Sequence, residues 1–210
     1  QISQLLPIPL KEQKMDFSEV WNSELTISEN DGIFLSAPSG KGKTTFQLIL
    51  YGIRKDYDGL VTYRGKDIST IGLNEWSEIR QKSLSIIFQD LRLFPNLTAL
   101  ENIILKNNLT GHKTESQILE MAEMLSVAEF LNKKAGILSY GQRQRMAIIR
   151  AMCQPFDMLL MDEPFSHLDA GNIKKACDLI MQECNSRNAG FIISSLGDMY
   201  DLEYGRNVRL

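Results

Sequence analysis

Apolar runs of strand length recur along the chain, each followed by a small-residue loop or by a helical period. Ile33-Phe34-Leu35 ends in Ser36-Ala37-Pro38-Ser39-Gly40-Lys41-Gly42 and leads into Phe46-Gln47-Leu48-Ile49-Leu50-Tyr51, which reads as a buried helix. Leu84-Ser85-Ile86-Ile87-Phe88, Met158-Leu159-Leu160-Met161 and Gly190-Phe191-Ile192-Ile193-Ser194-Ser195 are further continuous runs, with Val208-Arg209-Leu210 reading as a last strand. Continuous apolar strands interleaved with helices predict an α/β fold with a mainly parallel sheet covered on both faces.

Elsewhere the period changes. Ser23-Glu24-Leu25-Thr26-Ile27 alternates as a half-buried strand does, and Asn30-Asp31-Gly32 is a turn signal. Leu5-Leu6-Pro7-Ile8-Pro9-Leu10 carries two prolines, so a strand there is expected at a sheet edge. Leu60-Val61-Thr62-Tyr63 and Lys66-Asp67-Ile68 flank Arg64-Gly65 as in a hairpin, adding an antiparallel β edge to the core. Asn74 is expected to cap a helix running through Gln81.

Residues 91–153 read as mostly helical. Thr98 caps one helix, and Thr114 with Gln117 has the capping-box spacing. Ile118, Met121, Ala122 and Leu125 form an apolar stripe that reads as core packing. A helix starts near Ser139, runs through Met152 and is stopped by Pro155; Asn172 to Arg187 is another. The expected organisation is a single domain over 1–210, with a core of about 1–90 and 154–210 and an inserted helical lobe of about 91–153.

Composition narrows the function classes. The chain is 43% hydrophobic with a formal net charge of −3, so there is no basic surplus and no nucleic-acid partner is expected. Cys153, Cys177 and Cys184 are odd in number and lack a CxxC spacing, which argues for free thiols in a reducing compartment and against a metal cluster. Cys177 and Cys184 are expected to face the core together. No apolar run approaches the ~20 residues that span a bilayer, and the first ten residues lack the pattern of a signal peptide. Any membrane role is expected to come through a partner.

The chemistry begins at residues 33–45. An apolar strand, a Gly-bearing loop and a helix start place successive backbone N–H groups and the positive end of a helix around one concavity, a phosphate site. Gly40 and Gly42 let the backbone approach an anion, Lys43 would reach the β- and γ-phosphates, and the Thr44 hydroxyl would ligate Mg²⁺. Lys41 reads as a solvated cation beside the loop. The match to G-x-x-x-x-G-K-[ST] is incomplete, because its first Gly falls on Ala37. The second half-site is Asp162-Glu163 at the end of a buried strand, where ligands bind in parallel sheets. Asp162 would hold Mg²⁺ and Glu163 could polarise the attacking water. Ser139 and Gly141 at a helix start form another anion site; two helix N-termini that far apart in one chain predict a dimer in which this segment completes the partner's site.

Together these segments resemble the ATP-binding cassette (ABC) ATPases over nearly all of residues 20–210. Ala37 to Thr45 is similar to the Walker A loop, Gln89 to the Q-loop glutamine, Leu138-Ser139-Tyr140-Gly141-Gln142 to the LSGGQ signature, Met158 to Glu163 to Walker B, and Ser166-His167-Leu168-Asp169 to the D-loop. The resemblance implies a P-loop NTPase fold with ATP and Mg²⁺ as cofactors. It makes Glu163 and Gln89 catalytic. Nucleotide contacts are implied for Pro38, Ser39, Gly40, Lys41, Gly42, Lys43, Thr44, Thr45, Ser139, Gly141, Gln142 and Asp169, and metal contacts for Thr44, Gln89 and Asp162. It further implies a homodimer or heterodimer of ATPase subunits, cytoplasmic and peripheral on the inner face of the cell membrane, driving a separate transmembrane permease. The segment from Ile87 to Asn102 is most similar to cassettes of the lipoprotein-release, macrolide-export and cell-division type.

Four departures accompany the resemblance. Ala37 replaces the first Walker A glycine, and Tyr140 replaces the first signature glycine, either narrowing the partner's nucleotide site or pointing away from it. The switch position after the last buried strand reads Ser194-Ser195-Leu196-Gly197-Asp198 without a histidine; His112, expected to be exposed, and His167 are the only two in the chain. The adenine-stacking aromatic has no match; Phe17 and Trp21 are nearest, and both read as core. Two other readings stay open: a degenerate subunit that binds ATP and hydrolyses it weakly or not at all, and a non-transport ABC ATPase.

Overall fold

The computed structural model describes residues 1–12, 17–195 and 199–210. Its centre is a five-stranded parallel sheet in the order β6-β7-β8-β3-β9, with β3 Gly32–Ser36, β6 Leu84–Ile87, β7 Met158–Asp162, β8 Gly190–Ser195 and β9 Arg206–Arg209. Successive side chains on a strand point to opposite faces, and that alternation divides the interior into two apolar clusters. Phe34, Ile87, Leu159, Met161, Phe191 and Ile193 face one way; Ile33, Leu35, Ile86, Leu160 and Ile192 face the other. This is why continuous apolar runs were required.

The second face packs against helix α1, Lys43–Leu50, and a four-stranded antiparallel sheet in the order β2-β1-β4-β5. Here β1 is Ile2–Pro7, β2 Glu24–Leu25, β4 Tyr57–Tyr63 and β5 Lys66–Asp67. The expectation that the proline-bearing strand lies at an edge is corrected: β1 sits between β2 and β4. The prolines permit this because Pro7 is the strand's last residue and Pro9 falls in a single 3-10 turn, Ile8–Leu10. The Arg64-Gly65 hairpin forms as expected, with both residues at positive φ (49° and 80°), the geometry of a type I′ turn.

Helix α2, Leu73–Lys82, is capped at Gly72, so Asn74 sits inside the first turn instead of capping it. Helices α3, Ala99–Asn107, and α4, Glu115–Met124, start with complete capping boxes at Thr98/Glu101 and Thr114/Gln117. Helix α5, Tyr140–Met152, has a third box at Ser139/Gln142, and α6, Ala170–Arg187, is capped by Asp169. The stripe Ile118, Met121, Ala122 and Leu125 is buried, in one apolar cluster with α5, α6 and the first face of the sheet. The three cysteines are buried in that same cluster, and burial pushes each thiol up to about 12. Among the described residues no helix is long and apolar enough to cross a membrane.

Candidate active site at the ends of the parallel strands

Three neighbouring strands, β3, β8 and β7, end at the same level, with Leu35, Ser194 and Asp162 in register. The loop after β3 turns back through Gly40 (φ 78°) and Gly42 (φ 97°) into α1. Ala37 keeps a negative φ, so the missing first glycine does not obstruct the turn. Gly42 is required twice over: its φ is left-handed, and an added Cβ would lie 2.9 Å from both Leu10 and Trp21. Trp21 is 4% exposed and its indole N–H donates to the Lys41 carbonyl at 3.2 Å. It therefore supports the phosphate loop from beneath, whereas Phe17, expected in the core, is 74% exposed.

Lys43 is buried, and its ammonium donates to the Ala37 and Pro38 carbonyls at 2.9 and 3.3 Å. The same nitrogen lies 3.8 Å from a Glu163 carboxylate oxygen. Gln89 joins the two half-sites: its amide oxygen is 3.5 Å from the Thr44 hydroxyl, and its amide nitrogen donates to Glu163 at 3.2 Å. Lys43 and Thr44 from the phosphate loop, Gln89 and Glu163, predicted from three separate motifs, therefore form one contiguous cluster. Glu163 adopts a left-handed φ of 48°, a strained choice for a non-glycine residue, and its N–H donates to the Ser194 carbonyl at 3.1 Å.

Behind them is a polar layer that the sequence did not single out. The Ser194 hydroxyl donates to Asp162 at 2.7 Å and accepts from the Gln47 amide at 3.1 Å, while Gln47 also donates to the Met161 carbonyl at 2.8 Å. Gln144, 1% exposed, reaches the Glu163 carbonyl at 3.3 Å and the D-loop at Ser166 and His167. Polar residues inside apolar periods, Gln47 in α1 and Gln144 in α5, are the signal that could have found them.

The other predicted residues divide between the rim of the loop and a segment apart from it. Pro38, Ser39 and Gly40 form the exposed crest of the loop, and Thr45 accepts from Arg54 on its outer side. Ser139 and Gln142 satisfy each other in their capping box, Gly141 packs against the His167 carbonyl, and both carboxylate oxygens of Asp169 are taken by Asn172. Among the described residues, no hydrogen bond or ion pair links any of these four to the phosphate loop. Tyr140 points within its own chain: its hydroxyl donates to the Gln89 carbonyl at 2.8 Å. His112 is half-buried instead of exposed, with its ring pKa lowered by burial and by the Arg187 and Lys113 cations. The switch position at 196–198 lies outside the described residues.

Thr44, Gln89 and Asp162 offer hydroxyl, amide and carboxylate oxygens, the hard donor set Mg²⁺ takes when phosphates supply the rest. The buried Asp162 carboxylate at the end of its strand and the exposed Thr44 hydroxyl at the end of the phosphate loop fit that group by their chemistry.

The chain is similar to known proteins over most of its length. The family profile described as ABC transporter matches residues 20–166. The lipoprotein-releasing system ATP-binding protein LolD of Legionella pneumophila (strain Lens) is 32% identical over 173 residues, 81% of this chain and 76% of that protein. The aliphatic sulfonates import ATP-binding protein SsuB of Bacillus subtilis (strain 168) is 33% identical over 172 residues, 82% of this chain and 64% of that protein. A solved dimeric structure of MJ0796, described as a bacterial ABC transporter cassette, superposes with a TM-score of 0.77 at 26% identity, covering 92% of this chain and 86% of the other. A second, described as a post-hydrolysis state bound to ADP and Pi, gives 0.78 at 27% identity over 94% and 87%. Phosphate loop, glutamine bridge, Asp162-Glu163 pair and whole-chain likeness converge: the chain belongs to the ABC transporter family, as an ATP-binding subunit.

Proposed function

We propose that this subunit hydrolyses ATP, with Glu163 as the general base toward the attacking water. The observation that carries the reading is the Gln89 bridge, which holds Glu163 and Thr44 at hydrogen-bonding range on either side of one amide. The loop amides and Lys43 bind the phosphates, while Gln144 and Ser194 orient Glu163 through its backbone. When bound, Mg²⁺ would be held by Thr44, Asp162 and Gln89 and would supply charge neutralisation at the β- and γ-phosphates. Glu163 takes the proton of water as the water adds to the γ-phosphorus and ADP leaves.

The subunit works as a dimer, homomeric or heteromeric. In each half, Ser139, Gly141, Gln142 and Asp169 of one copy close over the phosphate loop of the other. Support comes from the dimeric cassettes that superpose on this chain and from the position of that segment apart from its own loop. The partner that uses the work is a membrane-embedded permease, which places the subunit on the cytoplasmic face. Relatives named for lipoprotein release and for sulfonate import match at 32% and 33%, so cargo choice is read to lie in the permease.

A second reading, binding ATP while a partner subunit hydrolyses it, is favoured by the sequence Ser194 to Asp198, which holds no histidine. Steady-state phosphate release separates the two. Wild-type turnover that falls about 10²- to 10⁴-fold in Glu163→Gln, with ATP still bound, supports the base role. Bound ATP without wild-type turnover selects the second reading.

A further inference from the structure

Helix α5 holds the segment that carries Gln89 at two points. At its first residue, the Tyr140 hydroxyl donates to the Gln89 carbonyl at 2.8 Å. Near its end, the Arg150 guanidinium donates to the Leu91 and Arg92 carbonyls at 2.5 and 2.6 Å. Three carbonyls within four residues are thus fixed by one helix. The segment needs such restraint, because Leu91 and Arg92 both adopt left-handed backbone (φ 60° and 46°), which costs a non-glycine residue roughly 1 kcal/mol or more each.

The Tyr140 side chain is itself held in place. Its ring packs on His167 of the D-loop with centroids 4.1 Å apart, and the Arg143 guanidinium lies over it at 5.2 Å. A hydroxyl aimed by a restrained ring fixes its acceptor more firmly than a freely rotating one. The glycine that the signature pattern carries at this position could supply neither hydroxyl nor ring, so the contact is a property of this chain's departure from the pattern. Gln89 in turn spans Thr44 and Glu163 with its two amide atoms. Displacing its carbonyl would displace that amide relative to both.

We propose that Tyr140 is a positioning residue for the reaction, fixing the Gln89 carbonyl and, through it, the amide that joins Thr44 to Glu163. The inference rests on the ATPase reading above for its consequence, though not for its structural content. It also gives the N-terminus of α5 a hold on its own chain's site, in addition to any role over a partner's nucleotide.

Two measurements on the full chain test it. Hydrogen exchange of the nucleotide-free protein, followed on peptides spanning 88–92, compares wild type with Tyr140→Phe, which keeps the ring and removes the hydroxyl. Loss of one neutral hydrogen bond is expected to speed exchange there about two- to tenfold, with peptides from α3 unchanged and melting preserved. Unchanged exchange at 88–92 overturns the proposal, whatever the protein's ATPase activity. The second measurement is a double-mutant cycle with Gln89→Ala. Tyr140→Phe is expected to lower kcat two- to tenfold, in line with the same hydrogen-bond loss, with KM for ATP unchanged. In the Gln89→Ala background it should have no further effect. Additive losses show that Tyr140 does not act through Gln89 and overturn the proposal. If wild type shows no turnover, the exchange measurement alone decides.

Discussion

Lys43 and Glu163 lie 3.8 Å apart, one side chain 6% and the other 14% exposed. In the proposed nucleotide site they make opposite demands: an ammonium attracts a triphosphate and a carboxylate repels one. Water screens such a pair poorly at that burial, and opposite charges about 4 Å apart attract with ~4 kcal/mol before desolvation at an effective dielectric of about 20. On that reading incoming phosphates compete with Glu163 for Lys43. Glu163→Gln keeps the shape and the acceptor oxygen and removes the charge. It is expected to tighten ATP binding by about tenfold, ~1.4 kcal/mol, even as it removes turnover. Equilibrium binding of ATP to wild type and variant, by calorimetry or a fluorescent analogue, checks this; equal or weaker affinity in the variant would show that the pair does not oppose binding.

Ser194 joins two polar groups that have no water to fall back on. Its hydroxyl donates to Asp162 and accepts from Gln47, and all three residues are buried. Ser194→Ala leaves the Asp162 oxygen and a Gln47 N–H unpaired, a cost of about 1–3 kcal/mol for stranded buried polar groups. At ~2–4 °C per kcal/mol for a chain of this size, the melting temperature is expected to fall by about 2–12 °C. Ser195→Ala provides the contrast, since the Ser195 hydroxyl has a long 3.3 Å contact with Tyr200 and none with Asp162. Equal melting shifts in the two variants would refute a special role for Ser194.

These partners explain which parts of the site were readable in advance. The phosphate loop, Asp162-Glu163 and Ser139 each declare themselves within a few adjacent residues, because a strand end, a loop and a helix cap are local structures. The Arg64-Gly65 hairpin was legible for the same reason. Ser194, Gln47, Gln144 and the Tyr140 hydroxyl were not, because each is defined by a partner brought close by the sheet order: Gln47 meets Met161 and Tyr140 meets Gln89. The edge position expected of β1 failed similarly. Local proline content restricts where an N–H is available, but the last residue of an interior strand can dispense with one. Gly72 capped α2 where Asn74 was expected, a shift of two residues that periodicity alone does not resolve.

The final prediction concerns Lys106, near the end of α3, whose ammonium donates to the Arg80 carbonyl at 3.2 Å. Burial, reinforced by the Arg150 and Arg80 cations, pushes it down from 10.5 to about 8. A lysine depressed on folding binds fewer protons in the folded state than in the unfolded state between those two values. Stability from this group therefore rises as pH climbs from about 8 to 10.5, and the penalty is fully present below about 8. Lys106→Met removes the penalty and the hydrogen bond together. At pH 7 the balance is expected to favour the variant by ~1 kcal/mol, about 2–4 °C in melting temperature for a chain of this size. By pH 10 the wild type should have recovered most of that difference. Melting curves of both proteins across this range provide the check, and a gap that stays constant with pH would mean that Lys106 does not carry the penalty.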